Sequence, residues 1–224
     1  GCGLRLAEGL GARVCASPAA VAAIADRVVI CVVDARQAES VLFDPHEGVA
    51  SQENKPCILL CPTIAPDQTE AFAHRLAAVG LPCIDAPMSG GPLRARAGRM
   101  SLMVACDDAL FERHASLLRA LADPVFRVGR RAGDGARTKL VNNLLAAINL
   151  AGAAQALALA ERVGLDPGRT LAVIEQSSGQ SWICSDRLPR AIAGDLAPRA
   201  HTSLLDKDVR LALGMAATAG FDVS

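Results

Sequence analysis

The stretch "GDGARTKLVNNLLAAINLAGAAQALALA" (133–160) divides the chain. Before it, apolar runs of strand length alternate with helical patterns; after it, the strand signals stop. Its opening is polar and the rest almost wholly apolar. With about 100° per residue, Lys139, Asn142, Asn143 and Asn149 share a stripe roughly 120° wide on one helix. A helix apolar nearly all round is normally buried, so the stripe is expected to face something polar inside the protein. Two readings fit these residues alone: a solvated helix start with capping asparagines, or a catalytic stripe. The segment approaches the ~20 residues of a membrane span. Asn149, Gly152 and Gln155 interrupt it, and Ala outnumbers Leu, which argues against one.

Upstream, "RVVICVV" (27–33) and "CILLC" (57–61) are continuous apolar runs, as in parallel strands covered on both faces. "PCIDAP" (82–87) and "MSLMVA" (100–105) follow as further strands. Between them lie helical stretches at 17–26, with Ser17 as N-cap and Pro18 in the first turn, at 65–80, closed by Gly80, and at 107–123. Downstream, "DPGRTLAVIEQSS" (166–178) and "DKDVRLALGMAATAG" (206–220) read as helices. The predicted fold class is α/β: a partial Rossmann-type, doubly wound parallel sheet over residues 1–132, then a long helix and an all-helical domain over 133–224. The opening "GCGLRLAEGLGARV" is not a dinucleotide fingerprint. Leu6 stands where a third glycine belongs, and no strand precedes it.

Composition narrows the function. Lys plus Arg and Asp plus Glu are 23 each, giving a formal charge of zero. That argues against a nucleic-acid or anionic-membrane surface. No signal peptide is visible at the start, so a cytoplasmic location is expected. In a strand, Cys57 and Cys61 stand ~13 Å apart, too far for a disulfide. The eight cysteines read as thiols in a reducing compartment. His46, His74, His114 and His201 are scattered and make no metal spacing.

A second constellation is "DAPMSGG" (85–91). Gly90 and Gly91 after a strand free backbone N–H groups to form an anion cradle, and Ser89 adds a hydroxyl. The turn leaves the carboxyl end of a strand, where α/β sheets place ligands. Together with "GDGARTKLVNN" and "LLDKDVRLAL" (204–213), in that order, it resembles the β-hydroxyacid dehydrogenase family, 3-hydroxyisobutyrate dehydrogenases in particular. The resemblance spans essentially the whole chain.

The resemblance implies an NAD- or NADP-dependent oxidoreductase acting on a small hydroxy acid or its semialdehyde. It makes Lys139 the acid/base and Asn143 the substrate-orienting residue. Ser89, Gly90 and Gly91 would hold the substrate carboxylate. Val33, Asp34, Thr63 and Lys207 would contact the cofactor, although Val33-Asp34 replaces the family's usual Leu-Pro. Asn142 stands where the 6-phosphogluconate branch has His. Arg94, and Trp182 within 177–199, resemble the L-threonate and sugar-acid branch and are expected to contact substrate; Gln180 departs from that branch. A free lysine titrates near 10.4, so a base role requires burial to lower it. The implied partners are a small carboxylic acid and further copies of the chain, as a homodimer or homotetramer through the helical domain. The family's first strand, its glycine loop and its last helices are expected to lie outside Gly1–Ser224, which would weaken dinucleotide binding. A catalytically inactive binding or assembly module on this fold is the alternative.

Overall fold

A computed structural model describes residues 2–195 and 202–223, with the side chains of 2–5 and 202 left aside. Residues 196–199 of the sugar-acid-like stretch, and His201, lie outside the described residues. The chain forms two compact units, Gly1–Lys139 and Leu140–Ser224.

The first unit is built on six strands: β1 (Arg27–Ile30), β2 (Cys57–Leu60), β3 (Cys83–Asp85), β4 (Met88–Ser89), β5 (Ser101–Ala105) and β6 (Val125–Gly129). Helices α1 (Cys2–Gly9), α2 (Pro18–Ala22), α3 (Ala35–Phe43), α4 (Pro66–Ala78), α5 (Gly91–Arg96) and α6 (Asp108–Leu121) accompany them. β1, β2 and β3 are parallel, as are β5 and β6. The continuous apolar run of β2 is buried at all four positions, as expected of a strand covered on both faces. Val28, Ile30, Ile58 and Leu60 pack with Leu42, Phe72 and Leu76. Cys57, Leu59, Ile84 and Val104 pack with Leu118 on the other face.

The sheet is not wholly parallel. β5 runs antiparallel to β3 and to β4. Only the short α5 separates β4 from β5, and a parallel crossover needs a dozen or more residues around a full helix. Helix α3 is a further addition to the sequence reading, capped by Asp34, whose carboxylate accepts from the Gln37 amide at 2.8 Å.

The long helix α7 runs from Asp134 to Arg162 and carries the chain from the first unit into the second. There α8 (Pro167–Glu175), α9 (Trp182–Ile192) and α10 (Thr202–Thr218) follow, and Leu157, Leu171, Cys184 and Leu188 form a small core. The sequence predicts that α7 is buried; the chain leaves much of it open. Val141, Leu145, Ile148 and Leu159 are each more than half exposed, because the three short helices of this unit cannot enclose a helix of 29 residues.

The start of α7 is fixed by β3. Asp85, the last residue of that strand, is 1% exposed. Its Oδ2 accepts the backbone N–H groups of Gly133, Gly135 and Ala136 at 2.8, 2.9 and 3.2 Å. These are among the donors that a helix start leaves unsatisfied, and a carboxylate there also meets the positive end of the helix dipole. Each such charge-assisted bond is worth about 1.5–3 kcal/mol. The approach is close enough to require glycine at 135. A Cβ there would stand 2.8 Å from the Met103 carbonyl oxygen and 2.9 Å from Asp85 Cγ. Arg137 adds an ion pair to Glu70 of α4.

Gly135→Ala should therefore lower unfolding free energy by about 1–3 kcal/mol, the usual cost of overpacking, read by urea denaturation against a Gly152→Ala control where the space is open. A second expectation concerns pH. Burial pushes the Asp85 carboxyl up to about 6, against the pull of its three amide bonds. Between its ordinary value of 3.8 and about 6, the folded protein binds the extra proton. The stability of the wild type relative to Asp85→Asn should thus fall as pH rises through that window and stay level above it; parallel denaturation series from pH 4 to 8 measure this, and a rising difference would contradict it.

Candidate active site

The sequence-predicted residues fall into local groups. Ser89 ends β4, and Ser101 Oγ donates to its carbonyl at 3.5 Å. Gly90 has φ 135° and Gly91 φ 65°, left-handed values that free the backbone for a tight turn. Arg94 belongs to the same turn. A Cβ on Gly90 would meet Arg94 Cβ at 2.9 Å, so the arginine stem lies directly on the glycine backbone. The proposed carboxylate cradle and its arginine are thereby brought together by α5.

Lys139 stands in the second turn of α7 and is 7% exposed. The surface-lysine reading of the sequence is therefore overturned by its burial. Thr138 Oγ1 donates to the Asp134 carbonyl at 2.8 Å, tightening the turn before it. One turn beyond Lys139, Asn143 Nδ2 donates to Asp208 Oδ2 at 2.6 Å. Lys207 Nζ meets the other carboxylate oxygen of Asp208 at 2.7 Å. Asp208 is itself buried, 7% exposed. A buried carboxylate is tolerated when paired and hydrogen-bonded, and here it ties two of the predicted site residues, Asn143 and Lys207, into one network. Asn142 is exposed and bonds to Asn143 Oδ1 at 3.0 Å.

At the carboxyl ends of the parallel pair β1 and β2 stand Val33, Asp34 and Thr63. Val33 is 47% exposed and presents an apolar surface. Its amide donates to Gln37 Oε1 at 3.0 Å, and Asp34 caps α3. At this helix start the Asp34 carboxylate accepts the Gln37 amide, and its negative charge opposes a diphosphate. The apolar Val33 surface and the hydroxyl of half-buried Thr63 suit the ring and amide of a nicotinamide. Trp182 opens α9 and is 54% exposed, outside the small core that α9 builds with Cys184 and Leu188.

Two acidic residues escaped the sequence reading. Asp85 read only as a strand end, and Asp208 only as part of a cofactor motif. The available signal was the position of each acid: Asp85 closing a buried strand, Asp208 on an apolar helix. The buried cysteines show no sign of catalytic activation. Burial pushes Cys57 up to about 11 and Cys61 up to about 12, away from the thiolate. Among the described residues, no group of His, Cys, Asp and Glu is arranged to hold a metal. A cleft of about 430 Å³ along β1, lined by Cys15, Ser17, Val21, Ile30 and Val49, holds none of the predicted site residues.

Comparison with known proteins bears on this arrangement. Residues 4–129 match the family model for the NAD-binding domain of 6-phosphogluconate dehydrogenase. Residues 133–224 match that for the NAD-binding region of NADP-dependent 3-hydroxyisobutyrate dehydrogenase. The L-threonate dehydrogenase of Cupriavidus necator is 37% identical over 202 residues, 90% of this chain and 68% of that protein. The L-threonate dehydrogenase of Escherichia coli K12 is 36% identical over 188 residues, 83% of this chain and 62% of its own length. The chain thus spans roughly two thirds of these relatives. The crystal structure of a 3-hydroxyisobutyrate dehydrogenase from Salmonella typhimurium superposes with TM-score 0.84 at 33% identity, covering 93% of this chain and 72% of that one. With both segments matched and the motif order kept, the chain belongs to the β-hydroxyacid dehydrogenases, a family of NAD(P)-dependent oxidoreductases.

Proposed function

We propose that the protein oxidises a small hydroxy acid, or reduces the matching semialdehyde, with Lys139 as the proton-transferring residue. The observation that carries this reading is a lysine 7% exposed at the start of a helix whose first turn is held by the end of a strand. Relatives named L-threonate dehydrogenase, 3-hydroxyisobutyrate dehydrogenase and 2-hydroxy-3-oxopropionate reductase support a substrate class of short acids with a hydroxyl or carbonyl on the second or third carbon. Residues 1–132 then serve as the dinucleotide-binding domain and 133–224 as the helical one, in the cytoplasm.

In this scheme the backbone amides of Gly90 and Gly91 and the Ser89 hydroxyl bind the substrate carboxylate. Arg94, lying on Gly90, adds a charged partner for the hydroxyls or carboxylate of a longer acid. Asn143, held by Asp208, orients the reacting hydroxyl. Lys139 Nζ takes the hydroxyl proton during oxidation and returns it to the carbonyl oxygen during reduction. NAD(P), when bound, accepts or supplies the hydride. Val33, Thr63 and Lys207 would hold its nicotinamide end, with Asp34 shaping the loop between them. Trp182 would border the substrate.

The open face of α7 points to assembly. Leu145, Ile148 and Leu159 are more than half exposed, an apolar patch of the kind that marks a protein interface. We propose that a second copy of the chain covers it.

Lys139→Ala should leave the circular dichroism spectrum intact and lower kcat by about 10²–10⁴-fold, measured by NAD(P) reduction with a panel of short hydroxy acids; near-full turnover would reduce Lys139 to a helix-start residue. For assembly, sedimentation of the protein should give a dimer or larger species, and Leu145→Glu with Leu159→Glu should shift it toward monomer. A monodisperse wild-type monomer would end that proposal.

A further inference from the structure

We propose that Asp85 is a positioning residue for catalysis: its carboxylate sets the rotational phase and height of α7 and so aims Lys139. This rests on the reading of Lys139 given above. The connection is short. Ala136, the last amide on Asp85, precedes Lys139 by three residues, less than one turn. At about 100° and 1.5 Å per residue, a slip of the first turn by one position would swing Lys139 about 100° around the axis. Three amides on one oxygen, at 2.8, 2.9 and 3.2 Å, fix both angle and height at once.

The origin of the cap supports positioning over simple helix stability. Ser17, Asp34, Asp107 and Asp166 each cap the helix that directly follows them. α7 instead takes its cap from a strand 48 to 51 residues upstream. Its own early acid, Asp134, is engaged with the Arg131 amide and with Arg137. A local cap satisfies amides without burying a carboxylate or requiring glycine at 135. A distant one adds what a local cap cannot: it ties the helix to the strand end from which the chain runs through Ala86 to the proposed cradle at Ser89, Gly90 and Gly91. The same acid thus references Lys139 to Ser89 through a few residues of backbone.

The test is Asp85→Asn, which keeps the shape and one acceptor oxygen but loses the charge. Asp85→Ser is the second variant. Each is compared with Lys139→Ala in the same protein, with kcat corrected for folded protein by the amplitude of thermal unfolding. The expected result is a fall in kcat of about 10²-fold, the scale of a misplacement near 1 Å. KM for the hydroxy acid should stay within a few fold, the pH profile of kcat should be displaced, and amide exchange at Gly133, Gly135 and Ala136 should quicken. Unchanged kcat and pH profile per folded molecule, with Lys139→Ala inactive, would overturn the positioning role and leave the proposed function standing. Failure of both variants to fold would likewise overturn it, since Asp85 would then serve folding alone. Full activity of Lys139→Ala would remove the functional reading itself.

Discussion

Three backbone amides on one buried carboxylate oxygen join the sheet to the helix that follows it. A helix start leaves amides without intrahelical partners, and water cannot reach these ones. The strand end supplies what is missing, and the two needs are matched: Asp85 requires donors because it is buried, and the amides require an acceptor for the same reason. Glycine at 135 is a consequence of that closeness, since any side chain would strike the Met103 carbonyl.

The rest of α7 obeys a different constraint. It is apolar on most faces, and the second unit covers only part of it. Where the helix does carry a polar group against a neighbour, the group is satisfied: Asn143 donates to Asp208, which also pairs with Lys207. A half-satisfied buried network is worse than an apolar one, and this one uses both carboxylate oxygens. The open apolar flank and the closed polar network are therefore two distinct features of the same helix.

Much of the fold was legible because the signals are local. The apolar runs at 27–33 and 57–61 became β1 and β2, and Ser17 caps α2 as its position in the sequence predicts. What escaped depends on distance or brevity. β4 has two residues, too few for any period. β5 reverses direction because α5 is short, a geometric outcome no alternation pattern announces. Helix α3 hid because its cap, Asp34, falls in the segment that resembles a cofactor loop. Lys139, Ser89 and the two glycines were legible as candidates. Their support was not: Asp85 meets its amides across 48 to 51 residues and Asp208 meets Asn143 across 65, and nothing in either segment names the other.

The distribution of buried charge completes the reasoning. Taking an ionisable group out of water is expensive, and folds avoid it where nothing is gained. Among the described residues the buried aspartates and lysines are Asp85, Lys139 and Asp208. Asp85 holds the first turn of α7, Lys139 stands in the second, and Asp208 holds Asn143 in the third. The ion pairs elsewhere, such as Arg75 with Glu39 and Arg210 with Asp206, lie on the surface, where such pairs contribute little. Stability alone would have favoured apolar residues at all three buried positions. Their concentration along the first three turns of one helix is what the proposed proton transfer by Lys139 would require: a fixed backbone below it, an oriented amide above it, and little water to blur either.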